Sequence, residues 1–274
     1  MTSSEVWYNV TEKDIKELNK VDKVFLQKLM QVPKSVPGES LYLEMGILPI
    51  KSILITRRMR YLKYLLQRNP NSMLSKFFHT QWKKESPGDW TQQIKKDMNN
   101  LNIKCTLSEL KEMSDEEYKQ LIDNKVEAFT FESLMKKKET HSKMSKVSYK
   151  ELKIQKYLLD KDIPTATARL VFKYRTHMLS FHKNLKGMSK DEVCPLCNSH
   201  NDDQDEMENC PVLKEKFPQI GICKTIYEED VSTEAVDVLT RAIDYKKQEE
   251  TQSSVSDDFP AGNSVNEDFP AKSS

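Results

Sequence analysis

The feature that most restricts how this chain can fold is a cysteine run. It reads Cys194-Pro-Leu-Cys197, eight further residues, then Glu206-Met-Glu-Asn-Cys210. A Cys-x-x-Cys turn aims two thiolates at one point, and a third cysteine 13 positions on closes the loop around them. Sequences write a small structural zinc site in this way, so zinc is the expected ion. A knuckle of this spacing takes a histidine four positions before its last cysteine, and Glu206 stands there. His200, inside the loop, is the preferred fourth ligand, because imidazole suits a thiolate zinc site better than a carboxylate does. The expected set is therefore Cys194, Cys197, His200 and Cys210, with Glu206 as the alternative to His200. The other reading is three reduced thiols without an ion.

Outside this run the pattern is helical. Thr11-Glu-Lys-Asp14 is a capping box, followed by Ile15, Leu18, Phe25, Leu26, Leu29 and Met30 at helical spacing. Gly46 reads as a C-cap, and Pro49 as the first turn of a helix carrying Ile50, Ile53, Leu54, Tyr61, Leu62 and Leu65. Asp89 with Gln92, Ser114 with Glu117, and Ser148 with Glu151 mark further helix starts. Another helix is expected from Thr165, and a last one from about 232 to 248. No strand-like alternation stands out, so the expected fold is all-α: an irregular multi-helix array with a small zinc-knuckle-like element. The expected divisions are a basic helical region, 1–190; the knuckle and terminal helix, 191–250; and a disordered acidic tail, 251–274. In that tail Ser254-Val-Ser-Asp-Asp258-Phe-Pro-Ala261 recurs as Ser264-Val-Asn-Glu-Asp268-Phe-Pro-Ala271, with too little apolar surface to offset chain entropy.

A net charge of +1 conceals a strong asymmetry. Residues 51–84 hold nine basic side chains and no Asp or Glu, while residues 191–274 hold seven basic against 20 acidic ones. The basic part suits a polyanion. Arg57, Arg58, Arg60, Lys63 and Arg68 share one helix with Tyr61 and Tyr64; guanidinium groups fork onto phosphates, and rings stack on exposed bases. These five cations and Lys143, in a second lysine-rich patch, are the expected nucleic-acid contacts, with RNA or DNA as partner. An amphipathic helix with a solvated basic face is the alternative. No Gly-rich phosphate loop, nucleophile elbow or His-Glu-x-x-His is present, so catalysis is not expected. Asp202-Asp203 and Asp257-Asp258 read as solvated acid. The five cysteines do not form a secretory disulfide framework, Met1-Thr-Ser-Ser-Glu5 lacks the marks of a signal peptide, and no apolar run is long enough to span a bilayer. An intracellular protein, nuclear or cytoplasmic, without a membrane anchor is expected.

An ordered set of residues resembles a known family. It comprises Leu41-Tyr-Leu-Glu44, Gly46, Pro49-Ile50, Arg57-Arg58, Tyr61-Leu62, Gln81, Pro87-Gly-Asp-Trp90 and Asp97. It continues through His141-Ser-Lys143, Tyr149, Gln155, Tyr157-Leu158, Arg175, Cys194-x-x-Cys197, Gln204 and Cys210-Pro211. In this order they are similar to the C-terminal part of a non-LTR (LINE-type) retrotransposon reverse transcriptase polyprotein, after the palm and ending in its cysteine knuckle. The resemblance runs from about Trp7 to just beyond the knuckle. It implies a helical region that holds element RNA and target DNA, with Cys194, Cys197 and Cys210 as knuckle ligands. The polymerase core and its paired aspartates are not in the chain. The expected function is that of a non-catalytic nucleic-acid-binding fragment; a helical protein-interaction module is the alternative.

Overall fold

The structure, a computed structural model, describes residues 10–84, 86–179, 181 and 193–256, without the side chains of 253–256. It is all-α: among the described residues the only extended pairings are two isolated bridges, Met45 with Ile154 and Val193 with Asn201. The chain forms two compact units. One comprises residues up to 179 together with 224–233; the other comprises 180–223 and the residues from 234 onward. The segment 224–233 returns to the first unit. The reason for that return is local: Arg175 Nη1 donates to the carbonyls of Ile226 (2.5 Å) and Glu228 (2.6 Å), which fixes the segment against its helix.

The first unit contains α1 (Glu12–Met30), α2 (Gly38–Met45), α3 (Ile50–Leu66), α4 (Met73–Lys84), α5 (Trp90–Asn100), α6 (Leu107–Glu112), α7 (Asp115–Lys138), α8 (Lys156–Leu159) and α9 (Thr165–Arg175). The capping boxes at Thr11 and Ser114 form, as does a third at Thr106 with Glu109, and Asp89 caps α5. Each supplies side-chain acceptors to amides that the first turn leaves without partners. The core is organised on α3, which packs against α1, α4, α5, α6 and α7. Its Ile55, Met59, Leu62 and Leu66 lie one turn apart and meet Phe78, Ile94, Leu110, Ile122 and Val126 from the surrounding helices. Burial of each such side chain stabilises by about 1.5–3 kcal/mol over leaving it exposed. Tyr118 joins this cluster and satisfies its hydroxyl on the Met59 carbonyl at 2.7 Å.

The helix expected from Ser148 is absent. Residues 147–155 form an irregular strap whose polar groups reach distant partners: Ser148 N–H donates to Tyr227 O (3.2 Å), and Gln155 N–H to Glu44 O (2.9 Å). Tertiary hydrogen bonds override the local box. The strap crosses the end of α2 at Gly46, which is left-handed at φ 60°. A Cβ there would stand 2.3 Å from the Ile154 nitrogen, so glycine serves both the conformation and the close approach.

In the second unit, a 3-10 turn (Gln204–Asn209) leads into α10 (Pro211–Lys216), and α11 (Thr233–Ser256) follows further along the chain. Ala235, Leu239, Ala242, Ile243 and Lys246 form the buried stripe of α11, and the Tyr245 ring meets Phe217 edge-on at 6.0 Å. The helix runs past its expected end near 248 and through 251–256, where the tail was expected to be unstructured. No proline or glycine interrupts it there, and Thr251 Oγ1 donates to Lys247 O at 2.8 Å. The rest of the expected disordered tail, 257–274, lies outside the described residues.

Candidate metal centre and basic surface

The cysteine run folds back on itself within a few residues. Val193 pairs with Asn201, and Cys194 N–H donates to His200 O at 2.6 Å. Asn198 takes a left-handed conformation (φ 50°) and donates its N–H to Cys194 O at 2.9 Å. The third thiol arrives from Cys210, which closes the 3-10 turn and caps α10, with Pro211 at the first helical position. The sulfurs of Cys194, Cys197 and Cys210 all lie within 4.8 Å of one another, and Cys194 to Cys210 is 4.0 Å. A tetrahedral zinc with ~2.3 Å bonds separates its sulfurs by about 3.8 Å. The cluster is thus near the size of an ion's coordination shell and can hold a metal ion. Cys194 and Cys210 are buried, Cys197 half-buried.

The thiols differ in acidity. Burial pushes Cys194 up to about 11, against hydrogen bonds from the Cys197 and Leu196 amides. Burial also acts to raise Cys197, but the Ser199 hydroxyl and amide together with His200 bring it down to about 6.

Neither expected fourth ligand joins the three thiols. His200 Nδ1 lies 3.8 Å from the Cys197 sulfur, but its ring is engaged by the Ser199 hydroxyl at 2.9 Å and falls outside the set. Glu206 instead accepts from Asn209 Nδ2 at 2.8 Å. His200 and Glu206 nonetheless line the same small cavity as Cys194 and Cys210. Asp202, expected to be solvated, is buried and ion-paired with Lys246 of α11, whose ammonium also lies 3.9 Å from the centre of the Phe181 ring. Asp202 and Lys246 line a cavity of about 10 Å³ with Cys194 and Cys210, so α11 is tied to the cysteine loop through a buried charge pair.

The basic residues of the first unit divide in two. Arg58 and Lys63 were expected on a solvent face and are instead buried. Arg58 Nε donates to Asp97 at 2.6 Å, a carboxylate also held by Gln93 at 3.0 Å. Lys63 Nζ donates to the carbonyls of Leu110 (2.9 Å), Lys111 (3.0 Å) and Met113 (2.5 Å), which are among the acceptors that the end of α6 leaves open. Their partners sit on other helices, so their charges are spent inside the fold. Arg60 is exposed and paired with Asp123 at 2.9 Å. Arg57 is exposed and lines a cavity of about 510 Å³ with Arg60, Asp123 and Glu127. Lys143 is half-buried in a 3-10 turn, Ser142–Met144. Arg68 is exposed, its guanidinium 4.2 Å from the centre of the Tyr64 ring.

Sequence reasoning passed over Lys76, Lys83 and Lys84 on α4. All three are exposed, and among the described residues no carboxylate pairs with them or with Arg68. The acid-free run 51–84 contains them, but attention to α3 alone missed them. Among the described residues no helix is long and apolar enough to cross a membrane. Comparison of the chain with protein-family models, with curated proteins and with solved structures returned no match.

Proposed function

We propose that this chain is a non-catalytic nucleic-acid-binding fragment, similar to the C-terminal region of a non-LTR retrotransposon reverse transcriptase, that holds RNA or DNA on the α4 face of its helical unit. The observation that carries this reading is the set Arg68, Lys76, Lys83 and Lys84: four exposed cations without a carboxylate partner among the described residues. Cations placed so are available to phosphates at no cost in internal pairing. The three-thiol cluster takes a structural zinc ion, which holds the cysteine loop in shape. Cys194, Cys197 and Cys210 are its ligands, and zinc supplies only a fixed crosslink.

Filter binding of labelled single-stranded RNA and DNA over a range of salt tests the reading. Phosphate contacts give an affinity that falls steeply and linearly with log salt. No binding of either nucleic acid at low salt contradicts it.

One observation favours the second reading, a protein-interaction module. Val21 (72% exposed), Phe25 (63%) and Leu29 (46%) line one side of α1 as an exposed apolar stripe. Replacing Phe25 by Glu separates the readings: self-association or partner capture is lost if the stripe is the working surface, and nucleic-acid affinity is unchanged if α4 is.

A further inference from the structure

An open groove borders α4, and Arg68 lies over the Tyr64 ring, which stacks on Tyr61 of the groove wall. The groove measures about 380 Å³ and is walled by Tyr61 and Leu65 of α3, Leu74, Phe77 and Gln81 of α4, and Trp90 of α5. Phe77 is 59% exposed and Leu74 39%, so part of the apolar wall faces solvent. The wall is built from rings: Tyr61 stacks on Tyr64 (5.6 Å, 17°) and meets Trp90 edge-on (5.5 Å, 85°). Asp89, which also lines the groove, caps α5 through Oδ1, accepting from Thr91 Oγ1 at 2.7 Å and Gln92 N–H at 2.8 Å, while its Oδ2 is buried without a hydrogen-bond partner.

We propose that this groove receives an unpaired base of a single-stranded nucleic acid, stacked against Phe77, while Arg68, Lys76, Lys83 and Lys84 hold the flanking phosphates. This rests on the nucleic-acid reading and gives it a location and a strand state. A ligand that is flat and apolar at its centre and anionic at its edges fits best, because the groove is aromatic and Arg68, Lys76, Lys83 and Lys84 have no carboxylate partner among the described residues. An apolar protein surface would match the rings and leave the four charges facing nothing. A duplex would match the charges and leave Phe77 and Leu74 in water. A single strand matches both, as in grooves where aromatic side chains stack bases and cations follow the backbone. Lys76 precedes Phe77, and Lys84 follows it by two turns, about 10 Å along the axis.

The test is fluorescence anisotropy with the full chain and three probes: an oligothymidylate, an abasic oligonucleotide of the same length, and a duplex. The single strand is expected to bind tightest. Phe77→Ala, at an exposed position, should lower that affinity by about ten- to a hundredfold while leaving the abasic affinity unchanged. Phe77→Tyr, which keeps a ring, should restore it. Equal binding of oligothymidylate and abasic strand, unmoved by Phe77→Ala, overturns the groove proposal and leaves the phosphate-binding reading standing. Absence of binding by all three probes at low salt overturns both. A synthetic acidic peptide with the sequence of residues 264–271 provides a further arm. If Phe77→Ala abolishes its binding while oligothymidylate affinity is unchanged, the groove is a peptide site and the proposal fails.

Discussion

Arg175 donates its Nε to Glu44 at 2.7 Å, and neither side chain has any exposure to solvent. The pair is fully enclosed by polar partners. Glu44 accepts from Tyr149 (2.6 Å) and Tyr157 (2.8 Å), and the guanidinium also serves the Ile226 and Glu228 carbonyls. One charge pair thereby joins α2, the strap 147–155, α8, α9 and the segment 224–233. Breaking a buried pair by removing one partner strands the other charge, at a cost of about 3–5 kcal/mol. Arg175→Ala should destabilise the fold by that amount in urea unfolding, and Tyr157→Phe, which removes one hydrogen bond, by about 1–3 kcal/mol. Equal, small losses for the two variants would contradict a network centred on the charge pair.

The same network predicts an alkaline limit. Burial, reinforced by the Glu44 charge, raises both Tyr149 and Tyr157 well above their ordinary value. Above pH ~10 the unfolded tyrosines lose protons that the folded ones keep. The folded state then binds more protons, so stability is fully present below the unfolded value and is lost as pH rises toward the folded ones. Urea unfolding at pH 8 and pH 11 should show a loss at the higher pH that Tyr149→Phe reduces. A stability that is flat across this range would contradict the assignment.

Arg58 and Lys63 should behave as structural residues. Arg58→Ala leaves Asp97 buried without its cation, and Lys63→Ala frees three carbonyls at the end of α6. Each should lower stability by about 2–5 kcal/mol. Lys84→Ala, on the exposed face of α4, should stay within about 0.5 kcal/mol. Thermal unfolding of the three variants checks the ordering, and a tolerated Arg58→Ala would contradict it.

How far the sequence could be read depended on how local each cause was. The caps at Thr11, Asp89 and Ser114 lie within three residues of the amides they serve, and all three form. The box at Ser148 has the same local pattern but loses to Glu44 and Tyr227, more than 70 residues away on either side. Arg57 and Arg58 are adjacent in sequence, yet one faces solvent and the other meets Asp97, 39 residues on. The buried stripe of α3, Ile55, Met59, Leu62 and Leu66, puts Arg58 on its flank and Arg57 on the opposite side, and α5 supplies the carboxylate that holds Arg58. The three thiols were legible from spacing alone. The absence of His200 from their set was not, since it depends on which way a short loop turns its imidazole. The residues that carried the family resemblance at Glu44, Tyr149, Gln155, Tyr157 and Arg175 meet in one buried network, a grouping that their sequence positions do not reveal.

The metal centre makes its own prediction. Native mass spectrometry should find one zinc per chain, lost in Cys194→Ser. His200→Ala and Glu206→Ala should both keep it, because neither side chain belongs to the three-thiol set. Thiolates, not thiols, bind zinc, so affinity should rise with pH as protons are released. Loss of zinc in His200→Ala would restore the histidine as a ligand.

The most direct measurement of the central claim is the salt dependence of single-strand binding for the full chain and for the triple variant Lys76→Ala, Lys83→Ala, Lys84→Ala. All three lysines are exposed, so the variant should fold with an unchanged melting temperature. With three phosphate contacts removed, the slope of log affinity against log salt should become shallower by about two to three. An unchanged slope and affinity in a folded triple variant would contradict the account: the α4 face would then not be where this chain holds nucleic acid.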